Sequence, residues 1–150
     1  MTPELFRAGL LDRLTVPARP APADKTGSGM TYGVITAVVS GGEAWWQIAA
    51  RAPRTGSGAP GQVDHQPPAL PETGPTPLAD IEQALAAAAV TLGDPVAVTR
   101  YSQRDRPPTV GYGLTVAYAD GSAMFVQLHW SLRPGEARTD ANRYKPQDAI

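Results

Sequence analysis

Cysteine is absent from this 150-residue chain, which excludes disulfide staples, thiol catalysis and cysteine-ligated zinc and fits a reducing compartment. Neither sign of charge is in excess, since 13 Lys and Arg stand against 14 Asp and Glu for a formal net charge of −1. A chain so balanced has no general field for polyphosphate or anionic lipid, so nucleic acid and membrane surfaces are poor partners. No apolar run approaches the roughly 20 residues that span a bilayer, and the first residues lack the basic, apolar and small-residue regions of a secretory signal. The expected location is the cytosol. Histidine is scarce, limited to His65 and His129. Without ligand spacing around them, no metal or other cofactor is expected. Lysine is nearly missing: apart from Lys25 and Lys145 the cations are arginine, which with the abundance of Ala, Pro and Gly suggests a GC-rich bacterial genome.

What the chain does contain is patterned apolar sequence broken by turn residues. Its length suits one domain with a core of its own. Residues 2–14, TPELFRAGLLDRL, read as a short amphipathic helix with Thr2 as N-cap, Pro3 at the first helical position and Leu5, Phe6, Leu10 and Leu14 near one face. The following TVPARPAPADKTGSG is rich in Pro, Ala and Gly and reads as a linker. Met30 after it reads as an alternative start or a fusion junction, although a second TGSG at residues 55–58 favours ordinary composition bias. The chain thus divides into a helix and linker over 1–29, an α+β domain over 30–132 and a polar tail over 133–150. The tail shows no sustained apolar period and is expected at the surface or loosely ordered.

Within the domain, two apolar runs meet at Gly41-Gly42, a pair suited to a two-residue type I′ turn. Pairing Ser40 with Glu43 places Ile35, Ala37 and Val39 beside Ile48, Trp46 and Ala44, and leaves Trp45 on the other face with Val38, Thr36 and Gln47. Residues 53–75, punctuated by six prolines, form a long loop, uncommon in a compact domain unless functional. Thr76-Pro77 then caps LADIEQALAAAAVTLG, a helix with Leu78, Ile81, Leu85, Ala88 and Leu92 in a stripe and Gly93 at its end. A third strand begins near Pro95. The second hairpin fits best with a three-residue loop, Ala119-Asp120-Gly121, in which Gly121 takes the left-handed position. That register pairs Tyr118 with Ser122, Val116 with Met124 and Leu114 with Val126. It also makes one face apolar through to Trp130. The fold class expected is α+β: an antiparallel sheet of about five strands, two hairpins plus one strand, packed on one main helix, with an additional N-terminal helix. No internal repeat is evident.

The two adjacent tryptophans, Trp45 and Trp46, must point to opposite faces of a strand, so one of them has to line something other than the helix-covered core. In the derived register that second face carries Tyr32, Val34, Val38, Trp45 and Gln47 from the first hairpin, and Phe125, Gln127 and His129 from the second. It could be covered by the N-terminal helix, serve as a protein interface or close into a ligand pocket. The preferred reading is a non-enzymatic interaction protein of the immunity, chaperone or adaptor kind. It would bind a protein partner, or a second copy as a homodimer, through the Trp45 and Phe125 face. The alternative is a small-molecule binder or small enzyme with a pocket between curved sheet and helix, His129 as general base and Tyr32 or Gln127 orienting the ligand.

Other candidates are weaker. His129 lacks an adjacent carboxylate to complete a triad. Asp64-His65 sits in a proline-rich context that reads as exposed loop. Asp80 and Glu82 open a helix, where carboxylates favour its dipole. RYSQRDRPP groups Arg100, Arg104 and Arg106 with Tyr101, a set able to grip an anion, but it reads as a solvated charged loop.

Overall fold

The computed structural model describes residues 1–23, 31–55 and 60–150. Met30, the proposed boundary at 29/30 and most of the second TGSG lie outside the described residues. Among the described residues the α-helices and strands are α1 (Pro3–Arg13), β1 (Ala18–Pro20), β2 (Gly33–Ala37), β3 (Glu43–Arg51), α2 (Leu78–Ala89), β4 (Ala97–Arg100), β5 (Gly113–Ala117) and β6 (Ala123–Leu132), with one 3-10 turn at Tyr101–Gln103. The strands form one antiparallel sheet in the order β1-β2-β3-β6-β5-β4. Both helices pack on the same side of it. Phe6 and Leu10 of α1 join Leu78, Ile81 and Leu85 of α2 over Trp46, Ile48, Leu114, Val126 and Leu128 of the sheet. The class is therefore α+β as expected, with six strands rather than about five.

The additional strand comes from the segment read as a linker. Prolines exclude a central strand but not an edge, where an outward N–H is dispensable. Ala18 pairs with Thr36 and Pro20 with Val34, and the ladder continues where the Ala21 N–H donates to the Gly33 carbonyl. Helix α1 is thus part of the core and not a tethered appendage. Thr2 caps it by accepting from the Leu5 N–H at 3.2 Å, but Leu5 itself faces solvent. Thr76 contributes no side-chain cap to α2, whose N-cap is Pro77.

The second hairpin has the register read from sequence: Leu114 opposite Val126, Val116 opposite Met124, and Tyr118 and Gly121 closing the Ala119-Asp120-Gly121 loop. The first does not. Ala37 pairs with Glu43 and Val34 with Trp46, and the turn is Val39-Ser40-Gly41, closed by Val38 N–H to Gly42 carbonyl and Gly41 N–H to Val38 carbonyl. Gly41, at φ 94°, takes the left-handed position that Gly121 occupies at φ 84°. The difference from the expected register is three residues. An odd slip turns every side chain of one strand to the opposite face relative to its partner. Tyr32, Val34 and Val38 consequently lie with the helix-side core, while Ile35 joins Trp45 on the other face.

A bulge makes a second correction. Trp45 pairs with Trp130 but Trp46 pairs with Leu128, leaving His129 as the extra residue of β6. Two residues facing one reverses the alternation beyond that point. Trp130 and Leu132 therefore leave the helix-side face and cluster with Ile35, Trp45 and Ala21.

The order of elements is α-β-β-β twice over, and the sheet reads the same from either edge. Residues 80 positions apart correspond: Tyr32 to Tyr112, Gly33 to Gly113, Ala37 to Ala117, Gly41 to Gly121 and Gln47 to Gln127. Gln47 and Gln127 face each other across the central β3-β6 pair, on the local two-fold axis, and each is flanked on its outer side by the matching glycine. The chain thus carries an internal structural repeat, contrary to the reading of no repeat. The similarity is confined to the hairpins, while the helices and connections between them differ in length.

Residues 133–150 are not loosely ordered. The Ile150 side chain is fully buried in the helix-side core, and its main chain exchanges two hydrogen bonds with Thr76. Before that the segment runs beside β6, with the Tyr144 N–H donating to the His129 carbonyl and Gln147 bonding the Ser131 hydroxyl and carbonyl. The long loop is pinned as well over its described residues from 60 onward. The Gly61 N–H donates to Val96 and the Val98 N–H to Gln62, covering the outer edge of β4.

Candidate functional site

The face of the sheet away from the helices is divided between the two repeats. Over the first repeat it is closed. Trp45 is 8% exposed and meets Trp130 edge to face at 6.3 Å between centroids. The guanidinium of Arg138 lies 3.9 Å from the Trp45 ring, and the Trp130 indole N–H donates to the Thr139 carbonyl at 2.9 Å. The lid is the chain's own C-terminal segment, not the N-terminal helix. The second tryptophan is thus buried, and both members of the pair lie in cores.

Over the second repeat no segment among the described residues closes the face in the same way. Phe125, the counterpart of Trp45, is half-buried beside Ala49 and Thr115. Gln47, Gln127 and Thr115 are half-buried too, and Ala49 and Thr99 are exposed. Two cations border this patch. The Arg51 guanidinium stands 5.7 Å from the Phe125 ring and donates to the Gly121 carbonyl. Arg104 lies over Tyr101 at 4.5 Å and donates to the Thr115 hydroxyl at 3.0 Å. Two polar atoms, Gln47 Oε1 and Arg51 Nε, are sealed from water with no hydrogen-bond partner. Such groups are rare in native structures because each forfeits its hydration without compensation.

The sequence-derived site is therefore split. Gln47, Phe125 and Gln127 are brought together on the open half. Trp45 lies under the lid. Tyr32 is on the helix side, with the Arg7 guanidinium 5.7 Å from its ring. His129 is buried at the bulge, between the Tyr144 ring at 4.8 Å and the Trp130 ring at 6.0 Å. Its Nδ1 accepts from Arg143 at 3.0 Å, which places the imidazole proton on Nε2. Burial, with the adjacent Arg143 charge, pushes its pKa down to about 4. At neutral pH this imidazole is uncharged and a poor proton acceptor, unlike a base tuned near its working pH. Its surroundings are aromatic and arginine side chains, Trp130 with Tyr144 and Arg143 of the C-terminal segment, rather than the open face it was expected to share with Gln127.

Two residues carry chemistry that the sequence concealed. Glu82, on the buried face of α2, is fully buried. Its carboxylate accepts from Arg100 Nε at 2.8 Å, from the Gly113 N–H at 2.9 Å, and from the main-chain N–H and hydroxyl of Ser102. Arg100 also donates to the Ala79 carbonyl, so it is a structural ion-pair member and not part of an exposed basic loop. Every acceptor position of Glu82 is committed internally, which makes it a joint between α2 and the β4-β5 edge. His65, expected in an exposed loop, is buried and its Nε2 donates to the Val98 carbonyl at 2.8 Å.

Among the described residues no three His, Asp or Glu side chains gather as a metal site, and no helix is long and apolar enough to cross a membrane. An apolar cavity of about 350 Å³ lies between the first hairpin tip and the long loop, lined by Val38, Val39, Leu70 and Pro71. Another, of about 390 Å³, lies by Asp94, Tyr118 and Asp120. Neither reaches His129. No protein-family model, curated protein or solved structure matches this chain.

Proposed function

We propose that the protein is a non-catalytic binding protein that engages a protein partner, or a second copy of itself, through the open half of the sheet around Phe125, Gln127 and Gln47. One observation carries this reading: among the described residues the chain closes one half of the face over Trp45 and leaves the equivalent half over Phe125 without such a cover. A partly exposed aromatic among glutamines and arginines has the composition of an interface centre. We prefer this to a small enzyme or small-molecule binder with His129 as general base, because His129 is buried, occupied by Arg143 and held neutral.

Site-specific photocrosslinking in the native host tests the reading. A benzoylphenylalanine at Ala49, exposed on the open half, is expected to give a discrete adduct, either with another protein or at twice the monomer mass. The same group at Leu5, exposed on α1, serves as the control on the opposite side. No adduct at Ala49, or identical adducts at both positions, would overturn it.

A further inference from the structure

The covered half of the face shows what kind of material fits there. Over Trp45 the cover is an irregular stretch of polypeptide, held by a side chain stacked on the ring and by a main-chain carbonyl that accepts from Trp130. Phe125 occupies the equivalent place in the second repeat. Its surroundings differ in charge. The strands of that half, β5 and β6, contain no Asp or Glu, and Arg51 and Arg104 border it. On β3 the single carboxylate, Glu43, lies at the far end and is ion-paired to Arg19. In the covered half the chain supplies a cation, Arg138, to an aromatic surface. In the open half the cations already belong to the surface, so the complementary occupant brings carboxylates.

The unpartnered atoms narrow the class further. Gln47 Oε1 lacks a donor, and Arg51 Nε lacks an acceptor. The two residues are four apart on one strand and share its outward face. Their backbones lie about 13 Å apart, the span of four extended residues, and a ligand satisfying both offers an N–H to one and a C=O or carboxylate to the other. Both atoms are sealed from water, so binding such a ligand requires the two side chains to turn outward. Phosphate-rich ligands carry acceptors in quantity but no matching regular donor, whereas a polypeptide carries both at every residue. From this geometry we infer that the open half binds an extended, acidic segment of a partner polypeptide, with an apolar residue over Phe125, carboxylates on Arg51 and Arg104, and a main-chain N–H on Gln47. This rests on the binding reading above and specifies its partner.

The test is selection of a phage-displayed library of random twelve-residue peptides on the intact chain. Recovered peptides are then synthesised, and their affinities are measured by fluorescence anisotropy. The expected peptides are enriched in Asp and Glu around an apolar residue. They bind about tenfold more weakly to Arg51→Gln and to Arg104→Gln, the scale of a lost charge-assisted hydrogen bond, and lose binding to Phe125→Ala. Thermal melts establish that each variant is folded, with Gln127→Arg replacing Phe125→Ala if the latter is not. Peptides of neutral or basic composition that still depend on Phe125 would overturn the acidic-segment inference and leave the binding reading standing. Recovery of no peptide that depends on Phe125 or Gln127 would overturn both. An oligothymidylate that binds as tightly as the peptides and is lost in the same variants would reassign the face to anions in general.

Discussion

At the scale of single residues, the largest consequences attach to buried charge. Removing one member of a buried ion pair strands the other, so Glu82→Ala is expected to cost about 3–5 kcal/mol, and more than Asp80→Ala in the same helix. Urea denaturation of the two variants checks this. The sequence placed Glu82 near the positive end of a helix, a sufficient explanation for a carboxylate there. It gave no sign of Arg100, 18 residues on, because that contact depends on how α2 lies across β4. His129 makes the opposite kind of contribution. Its folded pKa of about 4 lies below the ordinary 6.5, so the unfolded chain takes up the proton first as pH falls. The stability held above pH 6.5 is therefore lost progressively down to about pH 4, by at most about 3 kcal/mol. In His129→Gln that part of the pH dependence is expected to vanish, which equilibrium unfolding at pH 7, 5.5 and 4 would reveal.

At the scale of elements, both hairpins close with the same three-residue turn. Gly41→Ala is expected to cost about 1–2 kcal/mol from the left-handed backbone alone, since an added Cβ at Gly41 meets nothing nearer than 3.8 Å. Asn at the same position is expected to cost less, and thermal melts of the two variants would show the order. The second turn was legible because Asp120-Gly121 offered only one alignment that kept an apolar face continuous. At Gly41-Gly42 two glycines allowed two turns, and both registers buried apolar residues, so patterning alone could not choose. Strand β1 leaves no sequence signal for a related reason. Its three residues, ending in proline, carry no alternation and exist only because β2 offers an edge.

At the scale of the whole molecule, the C-terminal segment ties the two faces together, lying over the tryptophans before it inserts Ile150 beneath the sheet. Ile150→Ala is expected to cost about 2–5 kcal/mol through loss of core packing. Arg138→Ala, which removes a guanidinium from the Trp45 and Trp130 rings, is expected to cost about 0.5–2 kcal/mol; chemical denaturation of the pair would establish the ranking. A polar composition concealed that segment, because its anchoring comes from one terminal isoleucine and from main-chain bonds that leave no pattern. The sequence by itself determined the α+β class, both helices, the second hairpin's register and the company of Phe125 with Gln127, since each follows from local periodicity and turn chemistry. Only the tertiary structure decided that Trp45 is covered while Phe125 has no such cover among the described residues, that His129 is a buried bulge residue, and that the architecture repeats about the Gln47-Gln127 pair. Those outcomes depend on a one-residue bulge and on contacts between distant segments, and a bulge reverses the facing of every residue beyond it without altering the pattern before it.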